Sequence, residues 1–573
     1  MLIGLVSAWL YVPVGSSMEN TAPMTLSYAV QGVTLELMDP IKRRLDDSLQ
    51  HLASPAAADK LKAWYRHAPF EIKQTLATLG YVNPMIRCHL KQGTQSWQAL
   101  YQVTVGPPLI ITELDLSITG DTTHSALIKR LRANLGLKKG EVLLSEVYEQ
   151  AKQNLLNEAI AAGYLAAYFS EHQIWVHRAQ STAQIKLTLA TGPRFYFGPV
   201  TFKQSILNDA LLRRYVSFQT GEPYTSAPLL KLQDQLNASG YFKTFSVSEL
   251  ANHPDKHQQI PINLTLVPRP AQKYTVGLGY GTDMGPRASL GWQSRYLNSS
   301  GHKLSVLSQL AKLQSGLQTK YTIPGLHPAT DTYELNFALL QKKLAQVAST
   351  TEQIGAASVS QYNGWQRSLF LNYQIERFRY LTTNRARESH LLTPGITLSH
   401  SEFDDPTFSL HGYRLSVRLQ AASTALLSSS SFLQTELQAK KIVSWNRYSR
   451  LLLRASLGYT QTNDLTRFPP SLLFYAGGSQ SIRGYRYQEL GPGRLLMVAS
   501  AEYQHQLIQN WYGTVFFDAG NAVNHFPIPI NQGAGLGIVW VSPIGPLALT
   551  AAKAYNLTGR PIRLQFSMGI DLA

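Results

Sequence analysis

Three consecutive residues near the C-terminal end, Arg483, Gly484 and Tyr485, form the main candidate site of the sequence. Strand-like segments lie on both sides of them, and two acids follow downstream, Glu502 and Asp518. A guanidinium offers a planar fork of N–H donors that suits carboxylates. Taken alone, these residues leave two interpretations open: an arginine paired with the acids, and an arginine on a loop in solvent.

Other residue groups do not form a catalytic constellation. The histidines are scattered without the spacing of metal ligands. The glycine clusters at 277–281 and 533–537 lack the full GxGxxG spacing between a strand and a helix. The segment 477–481 lacks the strand–helix context of a nucleophile elbow. Glycines on the inner face of curved strands, where they make room, explain these clusters better. We therefore expect no enzyme activity, no metal site and no cofactor.

Composition favours a protein that meets a membrane. The 573 residues are 44% hydrophobic and 15% charged, below the roughly 25% charged residues of soluble domains. The net charge of +17 is interpreted as basic loops that face anionic lipid headgroups, so no nucleic-acid partner is expected. With one cysteine, Cys88, an intramolecular disulfide is excluded.

The first residues, 1–17, have the pattern of a secretory signal peptide. An apolar run from Leu2 to Val14 is followed by Gly15, Ser16 and Ser17. The signal is atypical because no lysine or arginine precedes the apolar run. No other stretch approaches 18 consecutive apolar residues, so no transmembrane helix is expected.

A repeat of about 80 residues fills the first half of the chain. The dipeptides Gly80-Tyr81, Gly163-Tyr164 and Gly240-Tyr241 each follow an amphipathic run, and each glycine is predicted to cap a helix in the left-handed conformation. The order within each unit is strand, helix, helix, strand, strand. This pattern resembles the polypeptide-transport-associated (POTRA) domain, with units at 25–108, 109–193 and 194–270. Each unit would leave a sheet edge that an extended chain can pair with.

From residue 271 to 573 the pattern changes to strict alternation. In the segment from Tyr413 to Ala421, and again from Ile562 to Leu572, apolar residues alternate with polar ones. Period 2 places the two sets on opposite faces of a strand. Roughly 16 such segments, each near the length that crosses a bilayer, predict an all-β transmembrane barrel of about 16 antiparallel strands after the α+β repeats.

The combination resembles the Omp85 superfamily and, within it, the TamA family, the outer-membrane part of the translocation and assembly module. Stretches that support the resemblance lie at 277–292, 298–302, 474–487, 516–521 and 542–546. Three POTRA-like units also fit better than the five usual in BamA relatives or the two usual in two-partner secretion transporters. The resemblance covers nearly the whole chain.

The resemblance implies a loop that folds back into the barrel lumen and holds Arg483 against acids of the inner wall. Asp518 matches the acid of a Phe-x-Asp-x-Gly strand motif whose other members are Phe516 and Gly520, and Glu502 matches an acid on the preceding strand. Gly484 would permit the turn and Tyr485 would pack against the wall.

The resemblance also implies a weak lateral seam between the first and last barrel strands. Its residues are Tyr274, Gly277 and Gly279 on the first strand and Phe566, Gly569 and Ile570 in a closing β-signal. The implied function is assembly of autotransporters and other barrel proteins in the bacterial outer membrane. The implied partners are a TamB-like inner-membrane-anchored protein and unfolded clients at the periplasmic POTRA domains, and outer-membrane lipid around the barrel. Alternatives are a two-partner-type secretion pore and phospholipid transport with the TamB-like partner.

Overall fold

The computed structural model describes residues 25–50, 58–93, 96–120, 125–249, 258–283, 285–343, 347–381, 384–463, 465, 467–543, 545–555 and 562–568. The predicted signal peptide at 1–17 lies outside these residues, as do Gly569 and Ile570 of the predicted β-signal. No helix within the described residues is long and apolar enough to cross a membrane.

Three α+β repeats occupy the first half, each in the predicted order of elements. The first has β1 (Thr25–Gln31), α1 (Leu35–Gln50), α2 (Ala58–Thr78), β2 (Met85–Gln92) and β3 (Ser96–Thr104). The second has β4 (Ile110–Thr119), α3 (Ser125–Ala133), α4 (Ser145–Ala161), β5 (Tyr168–His177) and β6 (Thr182–Ala190). The third has β7 (Tyr196–Lys203), α5 (Asp209–Arg213), α6 (Ser226–Ala238), β8 (Phe242–Glu249) and β9 (Gln259–Pro268).

Each repeat forms a three-stranded sheet with its last strand in the centre, in the orders β1-β3-β2, β4-β6-β5 and β7-β9-β8. In the first two repeats the first strand pairs in parallel with the last, and the second strand pairs antiparallel to it. One apolar stripe of a helix covers each of these sheets, and the stripe residues of α2 and α4 are buried: Ile72, Leu76, Ala151, Leu155 and Ala159. Each sheet therefore has two edge strands, and the outer sides of β4 and β7 are partly paired by bridges from Ile110 to Val142 and from Tyr196 to Pro223.

The predicted helix caps form the joints between repeats. Gly80, Gly163 and Gly240 have φ of +87°, +98° and +74°, which a side chain would strain. The carbonyl of Gly80 accepts a hydrogen bond from the Leu109 amide (2.7 Å), and that of Gly163 accepts one from the Phe195 amide (2.9 Å). Each of these two glycines thus ends a helix and receives the first residues of the next repeat.

By their contacts the residues form two compact units. One extends to Pro199 and includes Gln219–Leu229 and Glu249–Pro261; the other contains Val200–Phe218, Leu230–Ser248 and the chain from Ile262 onward. In the second unit the segment after α6 is attached to the turn at 295–302. The Tyr241 hydroxyl donates to the carbonyl of Gly301 (2.5 Å). Lys303 donates from Nζ to the carbonyl of Ser239 (2.6 Å) and lies over the Tyr241 ring.

A single sheet of sixteen strands follows, and neighbours in the chain are antiparallel neighbours in the sheet. The first eight are β10 (Gln272–Gly281), β11 (Gly285–Ser294), β12 (Lys303–Ala311), β13 (Gln314–Pro324), β14 (Asp331–Lys343), β15 (Val347–Tyr362), β16 (Trp365–Tyr380) and β17 (Ala386–Phe403). The rest are β18 (Gly412–Ala422), β19 (Phe432–Asn446), β20 (Ser449–Thr462), β23 (Leu495–Ile508), β24 (Trp511–Val523), β25 (Asn531–Ser542), β26 (Gly545–Ala554) and β27 (Arg563–Met568). Two short strands, β21 (Phe474–Ala476) and β22 (Leu490–Gly493), pair outside this sheet.

The strands alternate as predicted, with apolar side chains on the outer face. Tyr333, Leu335 and Phe337 of β14 are exposed, while residues of the opposite phase such as Glu376 and Asp518 are fully buried. Exposed aromatic and aliphatic side chains in this number would be unfavourable in water, whereas a bilayer solvates them. The alternation therefore produces an apolar outer surface and a polar interior, the arrangement of a transmembrane barrel.

Candidate functional site

The predicted site lies in the connection between β20 and β23, the eleventh and twelfth barrel strands. Its residues 467–494, called here the lumen loop, include a 3-10 turn (Pro470–Leu472), β21 and β22. Ile482 and Tyr485 of the loop are fully buried and belong to an apolar cluster with Val498 and Ala554 of the wall. The loop therefore lies inside the barrel.

Arg483 contacts both acids that the family resemblance pairs with it. Its Nε and Nη2 donate to the two oxygens of Asp518 at 2.7 and 2.8 Å, and its backbone amide donates to the same carboxylate at 3.0 Å. Its Nη1 donates to Glu502 at 2.5 Å. Only 3% of Arg483 and none of Asp518 is exposed, so solvent does not screen this pair. We call Arg483, Glu502 and Asp518 the latch.

Neighbouring side chains complete the hydrogen bonding of the latch. The guanidinium lies 3.4 Å above the Phe516 ring, a cation–π contact. Ser500 donates to Asp518 (2.6 Å), and the second oxygen of Glu502 accepts from Gln504 and Thr514 (2.6 and 3.0 Å). A buried charge is tolerated only when it is paired and hydrogen-bonded, and each charge of the latch meets that condition.

Two glycines allow the loop backbone to reach the wall. Gly484 has φ of +93°, and a Cβ on it would lie 2.8 Å from the amide nitrogen of Ala554. Gly533 on β25 faces the loop, and a Cβ there would overlap the carbonyl oxygen of Arg483. The glycine cluster at 533–537 thus lies on the inner face, as expected, and Gly533 makes room for the latch residue itself.

A Gly533→Ala substitution should therefore displace the lumen loop without changing any charge. Overpacking of this kind lowers the free energy of unfolding by about 1–3 kcal/mol. Here the added methyl group would overlap the backbone carbonyl of Arg483. We expect a lower midpoint for urea unfolding of the folded barrel. Gly291→Ala is the matched control, because a Cβ at this other barrel glycine has ordinary contacts, 3.4 Å or more from its neighbours. If the Gly533→Ala and Gly291→Ala variants unfold at the same urea concentration, the backbone of Arg483 does not lie as close to Gly533 as the structure shows.

The lumen loop is hydrogen-bonded to both ends of the barrel sheet. Gly484 donates to Gln565 of the last strand (3.2 Å), and the buried Tyr485 donates to Asn531 of β25 (3.2 Å). Ser479 donates from its amide and its hydroxyl to Asp283, directly after the first strand (2.7 and 2.6 Å). The loop consequently bridges the first and last strands from inside.

The seam is the line between β10 and β27, the two ends of the sheet. Among the described residues, the hydrogen bonds across it all involve Thr282, which donates to the Phe566 carbonyl and accepts from the Phe566 amide (3.4 and 3.1 Å). The sequence predicts that the first strand as a whole meets the last strand. Thr282 directly follows the last residue of β10, and because Gly569 and Ile570 lie outside the described residues, the pairing of the rest of the first strand stays a prediction.

A second attachment of the lumen loop was not found from the sequence. Ser471 donates to the fully buried Glu376 of β16, and Gln434 of β19 donates to the carbonyl of Leu472 (2.7 Å). Phe468 packs edge to face on Phe432 of the wall. This part of the loop contains no recognisable sequence motif. The one available signal is the alternation of polar and apolar residues in β16, which predicts that Glu376 faces the interior.

These features define the class of the protein: a transmembrane β-barrel of the outer-membrane type that encloses a lumen loop and follows POTRA-type repeats. A model of the Omp85 superfamily domain matches residues 269–572, and a model of the POTRA domain, described as a surface antigen variable number repeat, matches 195–269. The chain belongs to the Omp85 superfamily. Its barrel accordingly lies in the outer membrane, and its POTRA domains lie in the periplasm.

Relatives agree with this assignment. Outer membrane protein assembly factor BamA of Neisseria meningitidis serogroup B is 21% identical over 545 residues, which cover 79% of this chain and 66% of that protein. Outer envelope protein 80, chloroplastic, of Oryza sativa subsp. japonica is 34% identical over 116 residues, 18% of this chain and 17% of that protein. The chain thus spans less than two thirds of the length of each relative.

A solved structure shares the fold. The crystal structure of BamA from Haemophilus ducreyi lacking POTRA domains 1–3 matches with a TM-score of 0.68 and 18% identity, covering 79% of this chain and 99% of that one. At this identity the likeness concerns the fold alone.

Proposed function

We propose that the protein is a non-enzymatic assembly factor of the TamA type, which helps to insert autotransporters and other barrel proteins into the outer membrane. The observation that supports this function most is the seam. The first and last barrel strands are the two ends of the sheet, and among the described residues the hydrogen bonds between these ends are those of Thr282 with Phe566. The assembly role named for the BamA relative fits this arrangement.

An exposed strand edge is a template for another strand. A client strand would pair with the backbone groups of β10, and each added strand would offer a new edge to the next. Because unpaired backbone groups are costly in lipid, a growing client sheet is stabilised only while such an edge is paired. The latch keeps the lumen loop attached to β23 and β24 while the seam between β10 and β27 opens.

Photo-crosslinking tests the function at the seam. A photo-reactive residue at Tyr274, which is 74% exposed on β10, should capture newly synthesised barrel proteins in cells. The matched control is Leu335, an exposed outer-face residue of β14, a strand with partners on both sides. Adducts at Tyr274 but not at Leu335 are expected. Equal yields of cross-linked client at Tyr274 and Leu335 would show that clients do not bind preferentially at the seam.

The POTRA domains would receive the periplasmic partner, which the TamA resemblance identifies as a TamB-like protein, and unfolded clients. Strand β5 of the second repeat is the best candidate edge. It lies at the end of the β4-β6-β5 sheet, and its side chains Tyr168, Ile174, Trp175 and Val176 are exposed. Long exposed apolar edges are normally blunted by charge, so this one fits a strand-pairing surface.

A Trp175→Lys substitution should therefore weaken binding of an extended partner while the fold persists. Trp175 is 44% exposed, so the free energy of unfolding should change by about 0.5 kcal/mol or less. The measurement is co-purification of the TamB-like partner with the full chain. Met85→Lys, at an exposed position on the corresponding strand of the first repeat, is the control. A result in which only the control loses the partner would assign binding to the first repeat instead.

Two other functions make different predictions. A secretion pore requires an open lumen, and planar-bilayer recordings would then show large single-channel conductance. The lumen loop occupies the interior in this structure, so small conductance is expected. A role in phospholipid transport with a TamB-like partner would appear as altered lipid delivery to the outer membrane of a deletion strain in which barrel-protein levels remain normal.

A further inference from the structure

The turn between β17 and β18, residues 404–411, reaches across the inside of the barrel. The strands alternate in direction and start from the periplasmic repeats, so the connection after the eighth strand lies on the periplasmic side. Ser409 in this turn is fully buried. Phe408 packs against the buried Tyr512 of β24, with ring centroids 4.8 Å apart, although β24 is the fourth strand after β18 in the sheet. We call residues 404–411 the periplasmic turn.

Two acids hold the periplasmic turn in shape. One oxygen of Asp405 accepts from the backbone amides at 407 and 408 (2.6 and 2.8 Å), and the carboxylate of Asp404 accepts from those at 410 and 411 (3.0 Å each). Aspartate side chains that bond nearby backbone amides in this way stabilise a turn. We therefore expect the turn to move as a unit, in a position that depends on its contacts with the wall.

Arg450 of β20 attaches the periplasmic turn to the wall. Its side chain is fully buried, and Nη1 donates to the carbonyl of Ser409 at 2.5 Å. Its guanidinium carbon lies 3.3 Å from the centre of the Phe408 ring. A cation–π contact of this kind is strongest where water is excluded. Ser444 of β19 adds one further hydrogen bond, to the carbonyl of Leu410 (2.7 Å).

The same arginine is linked to the latch. Its Nε donates to the side-chain oxygen of Gln504 (2.9 Å), and the side-chain nitrogen of Gln504 donates to Glu502 (2.6 Å). Glu502 accepts from Arg483 through its other oxygen (2.5 Å). Arginine can only donate and an ionised carboxylate can only accept, so the two neighbours fix both ends of the Gln504 side chain. Gln504 is buried, so bulk water does not compete for either bond.

We propose that Arg450 is a positioning residue that couples the latch to the periplasmic turn. When the turn leaves the wall, Arg450 loses the two contacts that hold its side chain. Gln504 then loses a fixed partner, and Glu502 is no longer held in the orientation that Arg483 requires. In a contiguous buried network each bond orients the next, so a displacement of the turn from the periplasmic side loosens the lumen loop. This coupling is a property of the chain alone and does not depend on the proposed assembly function.

Maleimide labelling of the purified full chain in neutral detergent tests the coupling. The reporter is Ile482→Cys in a Cys88→Ser background, because Ile482 is fully buried in the cluster between the lumen loop and the wall. Its labelling rate measures how often the loop opens. Phe408→Leu keeps an apolar side chain but removes the ring that Arg450 covers, and should raise the rate about tenfold. Phe408→Tyr retains the ring and should label at the rate of the unaltered reporter chain.

Two controls separate the coupling from a general loosening of the barrel. Ser444→Ala removes a bond of the same turn without altering Arg450, and should leave the labelling rate unchanged. A second reporter, Phe468→Cys, lies in the other buried cluster of the lumen loop, and Phe408→Leu should not accelerate its labelling. Equal acceleration at positions 482 and 468 would overturn the proposal, and so would an unchanged rate at position 482.

A combined variant tests the route. In a Gln504→Leu background the path is already interrupted, so Phe408→Leu should add little to the labelling rate at position 482. The same increase in both backgrounds would show that the turn acts on the loop by another route, and would refute the role of Arg450. If Phe408→Leu does not fold, Arg450→Lys gives the same comparison, because lysine keeps the charge but loses the planar fork of donors.

Discussion

Replacing Arg483 with alanine is expected to lower the free energy of unfolding of the barrel by about 3–5 kcal/mol and to abolish client assembly. The substitution leaves Asp518 fully buried and Glu502 8% exposed without the guanidinium that pairs them. It also removes the side-chain hydrogen bonds by which residue 483 attaches the lumen loop to Asp518 and Glu502. Urea unfolding of the purified protein measures the first effect, and the level of folded autotransporter in cells measures the second.

A neutral triple variant separates stability from function. In Arg483→Met/Glu502→Gln/Asp518→Asn no charge is buried, so much of the lost stability should return, as it often does when a buried ion pair is replaced as a whole. The hydrogen bonds from the side chain of residue 483 to residues 518 and 502 would still be missing. Assembly should therefore remain defective. Normal assembly by a stable triple variant would show that the latch serves only the stability of the barrel.

The second large effect is expected from a covalent staple across the seam. Thr282 and Phe566 exchange hydrogen bonds at the point where the first and last strands meet. In a Cys88→Ser background, cysteines at these two positions should form a disulfide that holds the strands together. Client assembly should then fall to the level of cells that lack the protein, because the edge of β10 can no longer be displayed. A reducing agent should restore it in the same sample.

A staple elsewhere in the wall is the control. Ala439 and Ala455 are directly opposite each other on β19 and β20, which are joined along a continuous ladder. Cysteines there should form a disulfide without effect on assembly, since these strands have no need to separate. If both staples block assembly equally, rigidity of the barrel in general is responsible. If neither does, opening of the seam is not part of the mechanism.

The sequence predicted those parts of the fold that depend on the spacing of apolar and polar residues within short segments of the chain. Alternation identified a barrel of about sixteen strands, and the Gly-Tyr pairs at Gly80, Gly163 and Gly240 marked the helix ends, because both signals arise from neighbours in the chain. Arg483 and its two acids could be paired because the family resemblance implied a loop folded back against acids of the inner wall, whereas the residues alone left an arginine in solvent open. Asp283 could not be paired with Ser479, since their contact exists only after the barrel has curved round to bring its two ends together.

The same reason explains the other omissions. Glu376 accepts a hydrogen bond from Ser471, which lies 95 residues further along the chain, and neither residue belongs to a motif. Phe516 was predicted only as part of a strand motif, but the face of its ring supports the guanidinium of Arg483. The position of the hydrogen bonds at Thr282 depends on how the sheet ends meet, and no local pattern encodes that.

The attachment of Tyr241 and Lys303 has a mechanical consequence. Tyr241 donates a hydrogen bond to the carbonyl of Gly301, and Lys303 donates one to the carbonyl of Ser239. The segment that follows α6 in the third repeat is therefore attached to the turn between β11 and β12. That turn is one strand away from β10, the first strand of the sheet. A pull or twist exerted on the third repeat by a periplasmic load is therefore transmitted to the hairpin beside the seam first. We expect a displacement of this segment to reach the turn between β11 and β12 through these two hydrogen bonds before it reaches any other strand of the barrel.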